Sequence, residues 1–182
     1  MKKPQIRHIV VMLIVSLVST FLVADDLPDR LRAKGSSDTI LSGIDVYKST
    51  VKEVIAELGQ PTRIIDVPDT GPVAGGRDYE WQKGSLKLVC GTWNDKGEDS
   101  VCYSVEVWGT GSGNKIGTTG RGIRLGSPLA DIHRIYGERM LLNKLGNGDT
   151  QVTIQWHDDT TLYVFVNKKG HIDHIHLLAS TE

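Results

Sequence analysis

The sequence lacks an excess of charge of either sign. Its 182 residues include 21 Lys and Arg and 22 Asp and Glu, which gives a net charge of -1 with the histidines neutral. Proteins that bind nucleic acid usually carry a strongly basic face, so this balance argues against a nucleic-acid partner. With 39% hydrophobic and 24% charged residues, the chain has the composition of a globular protein and not of a disordered one.

The sequence also lacks an apolar run long enough for a typical membrane-spanning helix. Its apolar N-terminal run, residues 9–23, has 15 residues, whereas a spanning helix needs about 20. Three basic residues precede this run and Ala24 ends it, which is the pattern of a secretory signal. We therefore predict a signal peptide at residues 1–24 and a periplasmic or secreted bacterial product. An uncleaved N-terminal anchor is the alternative, and only then would the protein contact a membrane.

Cysteine is scarce, with two in the whole chain. Cys90 and Cys102 flank a turn-type cluster at residues 94–99, and the runs on either side are typical of strands. Centring the turn at Lys96 places the two cysteines directly opposite each other, at a distance that a disulfide can span. A redox or metal-binding pair would need Cys-x-x-Cys spacing or further ligands. We therefore predict a structural Cys90–Cys102 disulfide, which agrees with export, and no lipid-attachment cysteine near the signal segment.

Signatures of catalysis are also missing. The glycine-rich stretch at residues 109–115 lacks the Gly-Lys-Ser/Thr ending of a phosphate-binding loop, and no helix follows it directly. Gly111-Ser112-Gly113 is too short for the nucleophile elbow of a hydrolase. We therefore predict a non-enzymatic protein without a cofactor. A small envelope hydrolase is an alternative, and it requires a Ser or Cys within hydrogen-bond reach of a His.

What the sequence does contain is an internal similarity between two predicted helices. In the first, Thr50 and Glu53 form a capping box, apolar residues follow at helical spacing, and Gly59 ends the helix. In the second, Pro128 occupies the first helical position and Gly137 ends the helix. The two segments therefore predict two amphipathic helices of similar length.

Four candidate strands follow each helix. They lie at residues 62–67, 78–82, 85–92 and 100–108 in the first half, and at 139–145, 150–157, 160–167 and 171–178 in the second. The last strand of each half carries apolar residues at a spacing of three and then two: Cys102, Val105 and Val107 in one, Ile172, Ile175 and Leu177 in the other. Strict alternation would place these residues on different faces, so we predict a β-bulge in each last strand.

These patterns predict an α+β fold of two tandem repeats, each a helix followed by a four-stranded antiparallel sheet. The repeats are expected at residues 42–108 and 121–182, with a Gly-rich linker at 109–120 and a flexible N-terminal segment at 25–41. A lone core is marginal in a unit of about 60–70 residues, so the halves should support each other.

A helix that ends in Leu-Gly-x-Pro or Tyr-Gly, followed by four antiparallel strands and doubled in tandem, resembles the β-lactamase inhibitor protein fold. It is also similar to the single-repeat domain of the BamE family of outer-membrane assembly lipoproteins. The matching residues are Gly43, Ile44, Val54, Leu58, Gly59, Pro61 and Trp81 in the first half and Gly122, Ile123, Gly126, Ile132, Tyr136, Gly137 and Trp156 in the second. The resemblance implies protein binding through an exposed sheet face and no catalysis. The contact residues of the inhibitors have no match here, so β-lactamase is not supported as the target.

Aromatic residues mark the candidate binding face. Alternation along the third strand of the second half turns Tyr163 and Phe165 away from the helix, and Trp108 and Glu106 occupy the corresponding face of the first half. Trp93, at the shoulder of the cysteine-bearing hairpin, is a further candidate contact. Aromatic residues beside polar groups are typical of protein-binding surfaces. The alternative is that the other half or the N-terminal segment covers them.

Two histidines extend the same face. His174 and His176 lie two residues apart and point outward if the predicted bulge holds. They are candidate partner contacts, or they could share one Zn²⁺ or Cu²⁺ with His157 or Asp158 as a third ligand. The simplest alternative is a solvated face whose side chains happen to be histidine.

The sequence thus predicts an exported, non-enzymatic module that docks another protein of the cell envelope or extracellular space. A periplasmic metal-binding module that uses the C-terminal histidines is the first alternative, and the hydrolase is the second.

Overall fold

The computed structural model describes residues 33, 36–69, 75–93, 97–110, 116–158 and 160–179. The predicted signal peptide, residues 1–24, lies outside the described residues. Within the described ranges, neither helix has the length and apolar character needed to span a bilayer.

The described residues form ten β-strands and two α-helices. In chain order these are β1 (Ile40–Leu41), β2 (Ile44–Asp45), α1 (Val51–Leu58), β3 (Arg63–Val67), β4 (Gly76–Lys83), β5 (Leu86–Trp93), β6 (Cys102–Trp108), α2 (Leu129–Tyr136), β7 (Leu141–Lys144), β8 (Thr150–Gln155), β9 (Thr161–Val166) and β10 (Ile172–Leu178). β1 and β2 form a short ladder, and the other eight strands form one antiparallel sheet in the order β3-β4-β5-β6-β10-β9-β8-β7.

The predicted fold class, α+β with two tandem repeats that each have their own four-stranded sheet, is wrong. The chain is mostly β, with 47% strand, and all eight long strands share one sheet. The reason is the antiparallel pairing of β6 with β10, which runs from His174 opposite Trp108 to Leu178 opposite Ser104. An unpaired edge strand exposes backbone donors and acceptors, and this pairing satisfies two such edges at once.

The helix ends follow the sequence signals closely. The Thr50 hydroxyl accepts from the backbone N–H of Glu53 at 3.3 Å, and the Glu53 carboxylate accepts from the backbone N–H of Thr50 at 2.8 Å, so the predicted capping box is confirmed. The second helix begins one position later than predicted, because Pro128 is its N-cap residue and makes no side-chain cap.

Both helices lie on one side of the sheet, which we call the inner face. The Trp81 indole on β4 donates to the carbonyl of Gly59 at the end of α1 at 2.8 Å, and the Tyr136 ring of α2 lies 5.9 Å from the Trp156 ring. Side chains alternate between the two faces along a strand. The inner face therefore carries a set of buried side chains, namely Tyr79, Trp81, Leu88, Cys90, Val105, Val107, Val152, Ile154, Leu162, Val164, Ile175 and Leu177.

The predicted Cys90–Cys102 disulfide is confirmed, with the two Cα atoms 5.9 Å apart and both side chains fully buried. The predicted register is wrong, because Cys102 lies opposite Thr92 and not opposite Cys90. The shift comes from Tyr103, an extra residue on β6 at this point. Closing a loop of this size stabilises the fold by about 3 kcal/mol in the chain-entropy model.

Both predicted β-bulges are confirmed. On β6, Gly91 pairs with Ser104 and the next residue of β5 pairs with Cys102, which leaves Tyr103 as the extra residue. On β10 the register shifts between Ile172 and His174. A bulge holds two apolar residues spaced by three on the same face, which is why the core-facing pattern is interrupted at these points.

The ends of the predicted flexible segment and of the predicted linker are packed in the structure. Leu41 is fully buried and forms an isolated bridge with Thr119. The Asp38 carboxylate accepts from the Tyr136 hydroxyl at 2.7 Å and from the backbone N–H of Arg121 at 3.0 Å. Both stretches therefore contribute fixed contacts near α2.

Candidate functional site

All six residues predicted to contact a partner lie on the side of the sheet opposite the helices, which we call the outer face. Lys87, Trp108, His174 and Phe165 are successive register partners on β5, β6, β10 and β9. Their neighbours along each strand belong to the inner face, so alternation directs these four outward. Tyr163 and His176 lie two residues further along β9 and β10, and Trp93 lies six residues further along β5, so all three share this face. The strand pairing therefore brings the predicted contacts from both halves of the chain together.

Three stacked rings cross the middle of this face, and we call Trp108, His174 and Phe165 the aromatic row. The Trp108 and His174 ring centroids are 4.6 Å apart with an interplanar angle of 16°, and those of His174 and Phe165 are 4.3 Å apart with an angle of 8°. All three side chains are half-buried. The row is a flat surface with an apolar body and polar edges, which is suited to contact with another protein.

A polar network lies beside the aromatic row. The Ser104 hydroxyl is 3.0 Å from Nε2 of His176, and Nδ1 of His176 is 3.2 Å from Oε1 of Glu106. Nε2 of His174 is 3.8 Å from Oε2 of Glu106, too far for a hydrogen bond. One carboxylate thus faces both histidines.

Burial sets the charge states in this network. Burial of the His176 imidazole lowers its pKa, an effect larger than the opposing attraction of Glu106. Burial also opposes ionisation of Glu106, but contacts with His174, His176 and Lys87 outweigh it, and the net pKa of Glu106 is lowered. A neutral His176 therefore donates from Nδ1 to the ionised Glu106 and accepts the Ser104 hydroxyl at Nε2.

Two of the predicted contacts are buried in the structure. Tyr163 is 7% exposed and His176 is 6% exposed, and their rings lie 5.7 Å apart. Successive rows of large side chains on one face of a sheet pack against each other, so the central row loses its access to solvent. Tyr163 and His176 therefore support the outer face from within, whereas Trp108, Phe165, His174 and Trp93 remain partly accessible.

The metal-binding alternative finds no three-ligand site in the described part of the chain. No group of three or more His, Cys, Asp or Glu side chains is placed there to hold an ion. Both ring nitrogens of His176 already have polar neighbours, Ser104 at Nε2 and Glu106 at Nδ1. Asp158, a predicted third ligand, instead accepts from the Ser37 hydroxyl and from the backbone N–H of Thr160.

The hydrolase alternative meets one of its requirements, because Ser104 lies within hydrogen-bond reach of His176. Its surroundings oppose acyl-transfer chemistry. Such chemistry needs donors aimed at a developing oxyanion, but the carboxylate of Glu106 follows two residues further along β6. The Asp78 carboxylate is also adjacent, since its Oδ1 and Cβ of Ser104 both lie within 3.3 Å of the position a Cβ on Gly91 would take. Nearby negative charge would raise the energy of an oxyanion at Ser104.

Carboxylates dominate the β4–β6 side of the outer face, and we call Asp78, Glu80 and Glu106 the acidic patch. Lys87 lies among them, with Nζ 2.7 Å from Oε1 of Glu80 and 5.1 Å from the centroid of the Trp108 ring. Burial and the charges of Glu106 and Glu80 raise the pKa of Asp78 to about 6. The patch therefore holds more negative charge than its neighbours neutralise.

A second pair of rings borders the acidic patch. The Trp93 and Tyr103 rings meet edge to face, with centroids 4.7 Å apart. Burial and the charge of Asp78 raise the pKa of Tyr103 to about 12. Sequence analysis missed Tyr103 because strict alternation would turn it inward, and only the bulge on β6 brings it over Gly91. The available signal was the spacing of three between Cys102 and Val105, which indicates an extra residue on this strand.

No protein-family model matches this chain, and no curated protein matches it. Among solved structures, an extracellular protein containing an SCP domain from Bacillus anthracis str. Ames is similar, with a TM-score of 0.51 and 13% sequence identity. The match covers 85% of this chain and 50% of that protein, so this chain spans about half its length. At this identity the similarity is one of fold alone.

Two further solved structures match with TM-scores below 0.5. One is a DUF4309 family protein, YjgB, from Bacillus subtilis subsp. subtilis str. 168, with a TM-score of 0.43, 21% identity and coverage of 76% of this chain and 83% of that chain. The other is a candidate β-lactamase inhibitor protein from Streptococcus mutans, with a TM-score of 0.34, 8% identity and coverage of 79% and 88%. Neither score is high enough to establish a shared fold, and the predicted link to the BamE family has no support.

Proposed function

We propose that this protein is an exported, non-enzymatic module that docks another envelope or extracellular protein through its outer face. The observation that carries the proposal is the aromatic row, because Trp108, His174 and Phe165 form one partly accessible surface across three adjacent strands. Large rigid rings give much contact area for little loss of conformational entropy, which is why binding hot spots are rich in them.

Two observations support export. The Cys90–Cys102 disulfide is of a kind that forms and persists in oxidising compartments and is rare in the cytosol. The Bacillus anthracis neighbour of similar fold is described as extracellular. The predicted signal peptide at residues 1–24 would supply the export route.

Site-specific photo-cross-linking tests the docking face directly. A photo-reactive phenylalanine analogue replaces Phe165 on the outer face, and in a matched control it replaces Lys52, an exposed residue of α1. In cells that produce the protein, we expect a discrete protein adduct from position 165 and none from position 52. Adducts from position 52 alone, or the same adducts from both, would contradict the proposal.

Competition shows whether the adduct reports specific docking. Excess purified wild-type protein should abolish cross-linking at position 165, because it occupies the same partner. A Trp108→Ala variant should compete at least tenfold less well, while a Lys52→Ala variant should compete like the wild type. Equal competition by the Trp108 variant would remove the aromatic row from the binding surface.

A further inference from the structure

The outer face already binds one positively charged side chain of this protein, that of Lys87. Nζ of Lys87 lies 2.7 Å from the Glu80 carboxylate and 5.1 Å from the Trp108 ring centroid. A carboxylate provides a charge-assisted hydrogen bond and an aromatic face provides a cation–π contact. Together they form the chemistry that recognises an ammonium or guanidinium group.

A second carboxylate, that of Asp78, also lies beside aromatic rings. Among the described residues, its side chain makes no hydrogen bond and no ion pair, although the charge of Lys87 also acts on it. Its Oδ1 lies 3.2 Å, and Cζ of Tyr103 lies 3.4 Å, from the position that a Cβ on Gly91 would occupy. The absence of a side chain at Gly91 thus brings this carboxylate and the Tyr103 ring together, and the Trp93 ring adjoins Tyr103 at 4.7 Å.

Charge makes this position complementary to a cation. Asp78 is half-buried, and Glu106 and Glu80 act on it with like charge, while Lys87 is already paired with Glu80. A positive group beside Asp78 would offset both the burial and the repulsion, because Coulomb interactions strengthen as water is excluded. An anion would meet three carboxylates and be repelled.

We propose that the partner protein inserts a lysine or arginine side chain beside Asp78, against the rings of Tyr103 and Trp93. The inference rests on the proposed docking function and adds the chemistry of the partner to it. A protein source fits better than a free small cation, because the neighbouring aromatic row offers contact area to the residues on either side of the inserted one. A divalent metal ion fits poorly, since the position supplies one carboxylate and two rings.

Titration with small probes tests the cation chemistry by itself. The probes are the N-acetyl methylamides of L-arginine, L-lysine and uncharged L-norleucine, together with choline. Signals of the Trp93 and Trp108 indole N–H groups are followed by ¹H–¹⁵N NMR. We expect saturable shifts of the Trp93 signal with the arginine or lysine probe, at least tenfold weaker binding for Asp78→Asn, and binding within twofold of wild type for Glu138→Gln. Glu138 is an exposed carboxylate beyond α2.

Three results would overturn this inference. Norleucine amide could bind as well as the charged probes, choline could bind more tightly than both amino-acid amides, or Asp78→Asn could leave the affinity unchanged. The first would indicate an apolar contact, and the second a lipid headgroup.

The cross-linking assay at position 165 separates this failure from failure of the docking proposal. If Asp78→Asn competes as well as wild type while Trp108→Ala does not, the docking face stands and the cation inference falls. If no specific adduct forms at all, the docking proposal itself falls. A thermal unfolding curve for each variant confirms that it is folded.

Discussion

The two faces of the eight-stranded sheet are built from alternate residues of the same strands, yet they are organised in different ways. The inner face is a continuous apolar layer under two helices, in which residues such as Ile175 and Val164 are fully buried. The outer face carries rings, imidazoles and carboxylates, and it shifts the pKa of His176 downward and that of Asp78 upward. Groups whose charged forms are disfavoured by burial are more frequent at functional sites than elsewhere in proteins, which agrees with the proposed role of this face.

The largest expected effect comes from removing one side chain of the inner face. Ile175 is fully buried on β10, opposite Val107 and Val164. Ile175→Ala should lower the free energy of unfolding by about 2–5 kcal/mol, because it removes buried methyl groups and leaves a cavity. Phe165→Ala, on the outer face of the next strand, should cost less, about 1–2 kcal/mol, because a half-buried ring loses part of its burial free energy together with its aromatic pair. Urea titration measures both, and equal losses would contradict the distinction between the faces.

A smaller effect is expected in the pH dependence of stability. The folded-state pKa of His176 is lowered by burial, so below about pH 6.5 the unfolded chain binds more protons than the folded one. Its contribution is complete above that pH and is lost as the pH falls. His176→Gln should therefore lose less stability between pH 7 and pH 5 than the wild type does.

The control for this prediction is His133→Gln, since His133 is exposed on α2. That variant should keep the wild-type pH dependence in the same urea titrations. A His176→Gln profile parallel to the wild type would show that this imidazole titrates alike in both states.

The smallest expected effect is an increase in stability, on removal of the Asp78 charge. The pKa of Asp78 is raised from 3.8 to about 6, so between those values the folded chain binds more protons than the unfolded chain, and stability falls as the pH rises. Above pH 6 the full penalty is present. Asp78→Asn should therefore raise the free energy of unfolding at pH 7 by about 1 kcal/mol, a value reduced for solvent screening.

Most of the gain should be lost near pH 4, because the wild-type carboxyl is then protonated in the folded state and about half protonated in the unfolded state, which leaves little of the penalty. Urea titration at pH 4 and pH 7 checks this, with Glu138→Gln as a charge-matched control that should change little. A loss of stability at pH 7 in Asp78→Asn would show that the carboxylate has a stabilising partner.

Sequence patterns predicted the local features of this molecule because those features depend on neighbours in the chain. The capping box at Thr50, the disulfide at Cys90 and the bulges before Ser104 and His174 all arise from residues within one helix or hairpin. The pairing of β6 with β10 could not be predicted in this way, since alternation specifies a face and not a partner strand.

The candidate site was predictable to the same extent. Alternation placed Trp108 and Phe165 on corresponding faces of the two halves, but it could not show that they stack through His174. It also could not show that Tyr163 is covered, because burial depends on rows contributed by other strands. The acidic patch could not be predicted from the sequence for the same reason, since Asp78 and Glu106 lie on strands that are separated in the sheet by β5.

The junction of β6 and β10 has a consequence for when the docking face exists. Trp108 comes from a strand that is distant in sequence from those of His174 and Phe165, and it meets them only through that junction. Contacts between remote parts of a chain form late, because closing the intervening loop has to be compensated first. A chain that has not yet paired β6 with β10 lacks this surface. If the proposed docking function is correct, only fully folded copies engage the partner.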